Sequence, residues 1–291
     1  MREGLAKGAM NIAEVSWEGM GWLRAGFSGR RGGVTSVYSG KSLNLGWKEE
    51  DEDSNVAENR RRFLEAICGN PDGGRVNSLV TVRQVHGDVV RIVRRGEVPL
   101  ATANARAALE GDGLVTDVPG VMLGIQVADC VPVLVADVRR RVVGAFHAGW
   151  RGTVARIVEK GILRMREEYG TDAADLVAAV GPSIGPCCYL VGDEVRSGFV
   201  REFRYGAELF GGGASEVESR IHTPVSLNLW EANRRQLVNA GVRAESVTVL
   251  GECSACARDE QGERRYFSHR AEQGRAGRMM GVIGIVGEGQ E

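Results

Sequence analysis

Residues 121–158 constrain the fold more than any other part of the chain, because two apolar runs there flank a short charged turn. This pattern predicts an antiparallel hairpin. Pairing the strands about the midpoint between Val138 and Arg139 places Cys130 opposite His147 at the open end of the hairpin. Directly opposite residues have Cβ atoms roughly 4.5–5.5 Å apart, so these two side chains are predicted to share a metal ion or a proton.

A glycine-rich corner follows His147 and leads into a predicted amphipathic helix. Residues 148–152 read AGWRG, and apolar residues then recur at helical spacing as far as Met165. Glycine lets a backbone approach a ligand closely, and a helix N-terminus offers N–H groups to an anion. Arg151 adds a planar guanidinium suited to phosphate or carboxylate. Taken alone, Arg151 suits a surface residue of an ordinary strand-to-helix corner better than a ligand-binding residue. Because it lies close to Cys130 and His147 in the predicted hairpin, we predict that it binds substrate.

Composition excludes several classes of function. The chain has 291 residues, of which 43% are hydrophobic and 26% charged, with a formal net charge of −1. A net charge this close to zero gives no overall positive potential of the kind that indicates nucleic-acid binding. No apolar run approaches the length of a membrane span. Because the first residues lack the apolar core of a signal peptide, we expect a cytoplasmic protein. The six cysteines are then expected to be thiols or ligands rather than a disulfide framework.

The chain shows no internal repeat, low-complexity tract or clear linker, which favours one compact domain. We interpret residues 1–20 as a lead-in and residues 21–287 as a single catalytic domain of the α+β class. The sequence gives no indication of the oligomeric state. Helices are predicted at 53–67, 192–203 and 228–240, and strands at 176–180, 246–250 and 280–286.

Two further residues join the hairpin pair as candidates. His86 lies in a turn between two predicted strands within residues 78–93, where a lone histidine is usually structural or exposed. It gains weight because the chain has only four histidines and another is already placed opposite a cysteine. Asp129, beside Cys130, is predicted to orient a base or to serve as one. Asp112 lies between two glycines, and a turn role is favoured for it over the alternative, the orientation of a site group.

The remaining cysteines give weaker signals. Cys253 and Cys256 form a single CxxC pair, which without a partner pair is a weak zinc signal. We therefore interpret these two as structural thiols. The adjacent Cys187 and Cys188 are interpreted as packed rather than metal-binding residues.

His86, Cys130 and His147, here called the trio, suit two kinds of chemistry. In the first they bind zinc and leave a fourth position open, and such a zinc lowers the pKa of its water to about 7. In the second, Cys130 is a nucleophile activated by His147, as in cysteine hydrolases. The remaining alternative is a buried thiol with two ordinary histidines, and spacing alone does not decide among the three.

Short motifs run in order from the third block of ten residues to near the C-terminus. They are GFSGRRGG, SLNLG, QVHG, DGLVTDVPGV, ADCVPVLVAD, HAGWRGTV, GPSIGPCCYLVG, LNLWEANRRQL, and FSHR followed by GRMM. Together they resemble the YfiH-like laccase-domain family, also called multicopper polyphenol oxidase, purine nucleoside phosphorylase or peptidoglycan editing factor. ADC with HAGWRG is the most specific part of this resemblance.

The resemblance implies a fold, a metal site and an activity. The fold is an α/β/β/α sandwich with mixed β-sheets, and the site is a zinc or copper centre carried by the trio. The activity is phosphorolysis of adenosine, inosine and methylthioadenosine, with deamination of adenosine, so the partners are a nucleoside and phosphate. Besides Arg151, the residues expected to contact substrate are Asn44, Gln84 and His269, although Asn44 also suits a plain turn.

Two segments depart from the family pattern. After FSHR the family commonly has an RDG-type turn, whereas residues 271–276 read AEQGRA. Ser28-Gly29-Arg30 stands where Ser/Thr-Thr-Arg is frequent. Both departures concern the rim of the expected pocket, and hence substrate choice, and neither touches the trio.

Three alternative functions stay open at this point. One is a cysteine amidohydrolase that edits cell-wall precursor peptides, another a copper-dependent phenol oxidase, and the third a non-enzymatic metal-binding partner protein. Copper is the weaker choice of metal, because four histidines are few for a multicopper cluster and a Cys/His₂ set suits zinc.

Overall fold

The structure is a computed structural model and describes residues 10–69, 78–96, 104–211 and 224–286. Within these ranges the chain forms fifteen strands and five α-helices. The strands are β1 (Ile12–Glu14), β2 (Leu23–Ser28), β3 (Arg31–Thr35), β4 (Ser78–Thr81), β5 (Val90–Ile92), β6 (Gly113–Thr116), β7 (Val121–Val127), β8 (Val131–Asp137), β9 (Val142–Ala148), β10 (Leu176–Val180), β11 (Leu190–Val191), β12 (Phe210–Gly211), β13 (Val225–Leu227), β14 (Val247–Val249) and β15 (Met279–Ile285). The helices are α1 (Asp53–Cys68), α2 (Trp150–Val154), α3 (Ile157–Tyr169), α4 (Asp193–Glu202) and α5 (Leu229–Asn239).

Two mixed sheets form the centre of the molecule. The strand order is β1-β2-β15-β7-β4 in the first sheet and β14-β10-β8-β9-β6-β5 in the second. The pairs β4–β7, β10–β14 and β5–β6 are parallel, and the other neighbours in these two sheets are antiparallel. A small third sheet has the order β11-β13-β12.

Three apolar layers hold the elements together and confirm the α/β/β/α sandwich. The two sheets pack face to face, helix α1 covers the outer face of the first sheet, and helices α3 and α5 cover that of the second. The layers contain Leu123, Leu134 and Ile283 between the sheets, Phe63, Met122 and Val282 under α1, and Phe146, Ile162 and Leu237 under α3 and α5. No helix in the described part of the chain is both long and apolar enough to cross a membrane.

The first strand lies inside the segment interpreted as a lead-in. Strand β1 pairs antiparallel with β2, with Ile12 opposite Ser28, and Ala13 packs against the core between the sheets. The folded part of the chain therefore begins before residue 21. Residues 1–9 and residue 287 lie outside the described ranges.

The hairpin of β8 and β9 is confirmed, but its predicted register is wrong by two residues. Pro132, not Cys130, lies opposite His147. The turn is a four-residue loop centred one position later than predicted, because the Asp137 carboxylate accepts hydrogen bonds from the N–H groups of Arg139 and Arg140. Since side chains alternate between the faces of a strand, a shift of two keeps Cys130 on the expected face, diagonal to His147.

The helix predicted after the glycine-rich corner is interrupted. Helix α2 ends at Val154 and α3 begins at Ile157, because Arg156 adopts a left-handed conformation with φ of 61°. The Arg156 guanidinium donates hydrogen bonds to Glu159 at 2.7 Å and Glu202 at 2.5 Å, which ties the break to helix α4.

The packing of α3 against β9 yields a matched pair of stability predictions. A Cβ added at Gly161 would overlap the buried Phe146 ring, whereas one added at Gly198 in α4 would meet only Val154 Cγ2, at 3.8 Å. We expect Gly161→Ala to destabilise the protein by about 1–3 kcal/mol through overpacking. Gly198→Ala should stabilise it by roughly 0.5–1 kcal/mol, because alanine favours the helix.

Denaturant unfolding of both variants beside the wild type measures these differences. An unchanged or raised free energy of unfolding in Gly161→Ala would contradict the close approach of α3 to the second sheet.

Candidate active site

The trio comes together from three separate segments. His86 lies in the turn after β4, Cys130 immediately precedes β8, and His147 is the second-last residue of β9. One potential ligand atom from each residue lies within 4.8 Å of the others. The two imidazole rings meet edge to face, with their centroids 4.9 Å apart. The fold therefore brings together the three residues proposed from the sequence.

The carboxylate of Asp112 organises this group. Its Oδ1 lies 2.7 Å from Nδ1 of His147, and the backbone N–H groups of residues 85, 86 and 87 donate to its two oxygens at 2.7–3.2 Å. A carboxylate at Nδ1 fixes the orientation of the ring and leaves Nε2 as the ligand atom. The role favoured for Asp112 from the sequence, a plain turn residue, is therefore wrong, and the alternative, orientation of a site group, is the one observed. The available signal was an acidic residue between two glycines at the start of a buried strand.

The backbone at the site is unusual at two of its residues. His86 has φ of 60° and Asp129 has φ of 88°, both in the left-handed region that residues other than glycine seldom adopt. At His86 the hydrogen bonds to Asp112 hold this conformation. Asp129 is held by its carboxylate, which accepts from Ser254 Oγ at 2.6 Å and from the N–H of Arg270 at 2.7 Å.

Gly149 leaves the space that the trio occupies. Extending the hairpin register by one position places Gly149 opposite Cys130. A Cβ at this glycine would lie 2.9 Å from the Cys130 sulfur and 3.3 Å from the His86 ring. A side chain at this position would therefore displace two of the three potential ligands.

The trio is electrostatically coupled. Burial raises the pKa of the Cys130 thiol, but the charge of His147 and hydrogen bonds from both histidines outweigh it and bring the pKa down to about 6. Burial lowers the pKa of His147, whereas Cys130 and Asp112 raise it to about 9. Burial also raises the pKa of Asp112, but hydrogen bonds from His147 and Gly87 bring it below its usual value. In metal-free protein, a thiolate and an imidazolium therefore pair at neutral pH.

These features fit a bound metal. A thiol with a low pKa and two imidazoles within 4.8 Å form a mixed S/N ligand set, and the Asp112 carboxylate supplies the outer hydrogen bond that metal-binding histidines usually make. Because three protein groups form this set, a fourth position would be available to water or substrate. The same arrangement without metal is a Cys–His–Asp series, as in cysteine hydrolases.

The trio lines a cavity of about 600 Å³, a volume within the usual range of ligand sites. Its walls include three large aromatic residues, Trp47, Trp150 and Tyr189, none of which the sequence reasoning selected. Burial raises the pKa of the Tyr189 hydroxyl to about 12, so this group stays neutral and able to donate a hydrogen bond.

Five arginines line the cavity, and one of them is free to bind an anion. Arg83 pairs with Glu110, and the side chains of Arg106, Arg270 and Arg278 donate to backbone carbonyls. Among the described residues, the guanidinium of Arg151 donates no hydrogen bond and forms no ion pair. It stacks on the Trp150 ring at 4.3 Å, which holds its plane in one orientation.

Gln84 and Asn44, both predicted to contact substrate, use their amides within the protein. Gln84 lines the cavity, but its amide exchanges two hydrogen bonds of 2.7 and 2.8 Å with the backbone of Gln126. Asn44 is fully buried and does not line the cavity, and its amide bonds to Gly46, Asp51 and the N–H of Arg278. The structure therefore gives Asn44 a role in holding Arg278, the residue that precedes β15, rather than a substrate contact.

His269 is exposed at the cavity rim, two residues before the segment that departs from the family pattern. This segment is fixed by Glu272, whose carboxylate accepts from the N–H of Ser268 at 2.9 Å and pairs with Arg30 at 2.6 Å. The two segments thus contact each other, because Arg30 belongs to the first and Glu272 to the second.

The ion pair of Cys130 and His147 predicts an unusual pH dependence of alkylation. After removal of metal by a chelator, iodoacetamide should modify Cys130 at a rate that rises through about pH 6, because the thiolate is the reactive form. In His147→Gln the rise should move towards pH 9 or above, since burial then acts without the imidazolium. Cys68, whose pKa burial raises to about 11, is an internal control.

Peptide mass spectrometry measures both rates in one sample. A rise near pH 9 for Cys130 in the wild type would contradict the pairing.

The position of Asp112 yields a second prediction. Asp112→Asn should weaken zinc binding about 10- to 100-fold, because the outer hydrogen-bond partner of a metal-binding histidine loses its charge. Asp88→Asn is the matched control, since Asp88 lies two residues after His86 but pairs with Lys160 on the surface. Competition with a chromophoric chelator gives both affinities, and equal affinities in the two variants would exclude the role assigned to Asp112.

Comparison with known proteins identifies the family. The model of the family described as multi-copper polyphenol oxidoreductase laccase matches residues 24–286. Purine nucleoside phosphorylase YlmD of Geobacillus stearothermophilus is 34% identical over 279 residues, which cover 92% of this chain and 95% of that protein. Adenosine deaminase RL5, from an unknown prokaryotic organism, is 36% identical over 182 residues, which cover 62% of this chain and 67% of that protein.

A solved structure agrees with the sequence comparison. The hypothetical protein YfiH of Bacillus licheniformis superposes with a TM-score of 0.80 at 32% identity, covering 94% of this chain and 96% of that one. The segment matched by the family model contains the whole trio and most of both central sheets. The chain therefore belongs to the multi-copper polyphenol oxidoreductase laccase family, as its motifs indicate.

Proposed function

We propose that this protein is a zinc-dependent purine nucleoside enzyme that phosphorolyses adenosine, inosine and methylthioadenosine and deaminates adenosine. The observation that carries the proposal is a cavity lined both by the trio and by Arg151, a guanidinium without a polar partner in the described structure. The substrate class is supported by two relatives, one named a purine nucleoside phosphorylase and the other an adenosine deaminase.

Zinc is the metal that best suits the trio. Three protein ligands of the S/N type with an open fourth position are typical of catalytic zinc sites. When bound, zinc would supply Lewis acidity and lower the pKa of a bound water. A multicopper cluster needs more imidazoles than four histidines provide, and the other group of potential ligands in the described structure contains only cysteines. Copper is therefore the less favoured alternative.

The aromatic walls suit a purine base. Trp47, Trp150 and Tyr189 offer flat apolar surfaces, and stacking of a base on an aromatic side chain contributes roughly 1–3 kcal/mol. We assign His269, exposed at the rim, to a polar contact with the nucleoside. Gln84 positions the turn that carries His86, because its side-chain amide is hydrogen-bonded to the backbone of the neighbouring strand.

Arg151 is our candidate for the phosphate contact. In phosphorolysis a phosphate oxygen forms a bond to C1′ of the ribose while the C1′–N9 bond breaks and its electron pair passes to the purine, which takes a proton. A guanidinium can hold two phosphate oxygens at once and offset their charge. Because Arg151 is already stacked on Trp150, little side-chain freedom is lost when phosphate binds.

Deamination requires proton transfer at the base. A water oxygen forms a bond to C6 of adenine, and the amino group leaves as ammonia after it gains a proton. Asp129 and His269 are the carboxylate and imidazole that line the cavity outside the trio, and we assign the proton transfers to them. Asp129 also positions the rim, since it accepts the N–H of Arg270, the residue that follows His269.

A second candidate function rests on the series Cys130–His147–Asp112. Its connections and the low pKa of the thiol are what a cysteine nucleophile requires. Such an enzyme would be an amidohydrolase, for which cell-wall precursor peptides are the candidate substrates. It would work without metal, whereas in the leading proposal the thiol is a zinc ligand.

The test is incubation of the zinc-loaded protein with adenosine and phosphate, followed by chromatography. We expect adenine with ribose 1-phosphate from phosphorolysis and inosine from deamination. Cys130→Ala should lose zinc from the trio and both reactions together. Arg151→Gln should raise the KM for phosphate about 10- to 100-fold, because a charge-assisted hydrogen bond of about 1.5–3 kcal/mol is removed, and should keep deamination.

Arg164→Gln is the matched control, since Arg164 is a surface residue of α3 paired with Glu167. Adenosine left untouched by zinc-loaded protein would overturn the leading proposal. Cleavage of a wall-precursor amide by metal-free protein, stopped by iodoacetamide, would establish the amidohydrolase instead. Zinc retention without conversion of any nucleoside, phenol or amide would indicate a non-enzymatic metal-binding protein.

A further inference from the structure

Four cysteines from two loops meet beside the cavity wall. They are Cys187 and Cys188, in the loop after β10, and Cys253 and Cys256, in the loop after β14. Their four sulfur atoms all lie within 4.8 Å of one another, and we call this group the cysteine cluster. The sequence showed one CxxC without a partner pair, and the fold supplies the missing pair from a loop about seventy residues earlier in the chain.

The spacing of the sulfurs suits a tetrahedral metal. Zinc bound to four thiolates at about 2.3 Å places the sulfurs roughly 3.8 Å apart. Cys187 and Cys256, the two exposed members, have their sulfurs 3.6 Å apart. This separation is close to the edge of such a tetrahedron.

The backbone around Cys253 donates a hydrogen bond to its sulfur. The Gly185 N–H lies 3.2 Å from the sulfur. Hydrogen bonds of this kind around a ligand sulfur are the outer contacts that metal sites use to orient their ligands.

Positive charge lies next to the cluster. The guanidinium groups of Arg258 and Arg264 both donate to the carbonyl of Ala255, which lies between Cys253 and Cys256 in sequence. Zinc bound by four thiolates carries a net negative charge, and neighbouring guanidinium groups would offset it.

The cluster lies where it can fix the wall of the cavity. The two loops are joined by backbone hydrogen bonds of 3.2 Å from Ser183 to Glu252 and 3.0 Å from Ser254 to Ser183. Ile184 and Tyr189, in the first loop, line the cavity. A metal held by both loops would therefore tie this wall to the segment whose Ser254 holds Asp129.

We propose that the cysteine cluster binds zinc as a second metal site, structural and separate from the trio. The inference does not rest on the proposed function, because it needs only the two loops and their sulfurs. With four thiolates zinc has no open position, so this site would stabilise the wall and perform no chemistry.

Metal analysis of the full-length protein, purified under reducing conditions with zinc, tests the proposal. We expect about two zinc ions per chain in the wild type. The double variant Cys187→Ser, Cys256→Ser should keep one, at the trio, and Cys130→Ala should keep the other, at the cluster. Cys68→Ser is the matched control and should keep both. The double variant should also exchange amide hydrogens faster at residues 182–189 and 252–257 than the wild type.

Cobalt substitution in Cys130→Ala gives a readout that does not depend on folding of the double variant. We expect thiolate-to-cobalt charge-transfer absorption and the visible bands of a tetrahedral thiolate site in this variant. If the wild type binds a single zinc ion and Cys130→Ala loses it, the inference is overturned. That result would leave the proposed function intact. A disulfide between Cys187 and Cys256 in the protein purified with zinc, mapped by mass spectrometry, would overturn the inference equally.

Discussion

The buried carboxylate of Asp112 is the interaction on which the site depends. The turn that carries His86 connects the first sheet to the second, whereas His147 belongs to the second sheet alone. Asp112 accepts hydrogen bonds from three successive N–H groups of that turn and from the imidazole of His147, so one charge joins the two segments. Hydrogen bonds to a charged group contribute about 1.5–3 kcal/mol each, enough to hold His86 in a left-handed conformation.

Local pattern predicted the central hairpin and the main helices, and its errors arise from hydrogen bonds that apolar spacing does not report. The apolar runs and turn identified the β8–β9 hairpin and put Cys130 and His147 on one face, because an even register shift preserves the face. The register itself depends on how Asp137 closes its turn, which apolar alternation does not report. The break at Arg156 likewise follows from contacts with Glu202, a residue of another helix, and not from the helical spacing of apolar residues.

The parts of the site that escaped prediction are contacts between residues distant in sequence. From the sequence, a turn role was favoured for Asp112 because its hydrogen-bond partners lie 25 to 35 positions away along the chain. Asn44 read as a substrate contact, although the fold surrounds it with backbone and carboxylate partners. The resemblance identified the two unusual rim segments, but only the fold shows that Arg30 and Glu272 join those segments. Spacing along one chain carries no information about such pairs until the strands are placed.

The length of the hairpin separates its turn from its chemistry. Each strand has seven residues, so the charged loop after Asp137 lies roughly 20 Å from the end that carries Cys130 and His147. Arg139 and Arg140 are exposed there, and Arg139 forms an ion pair with Asp175. Exposed loop tips are the positions where proteins best accept inserted residues. A fluorophore or an affinity tag placed in this loop would report on the protein or immobilise it, with the cavity facing free solution.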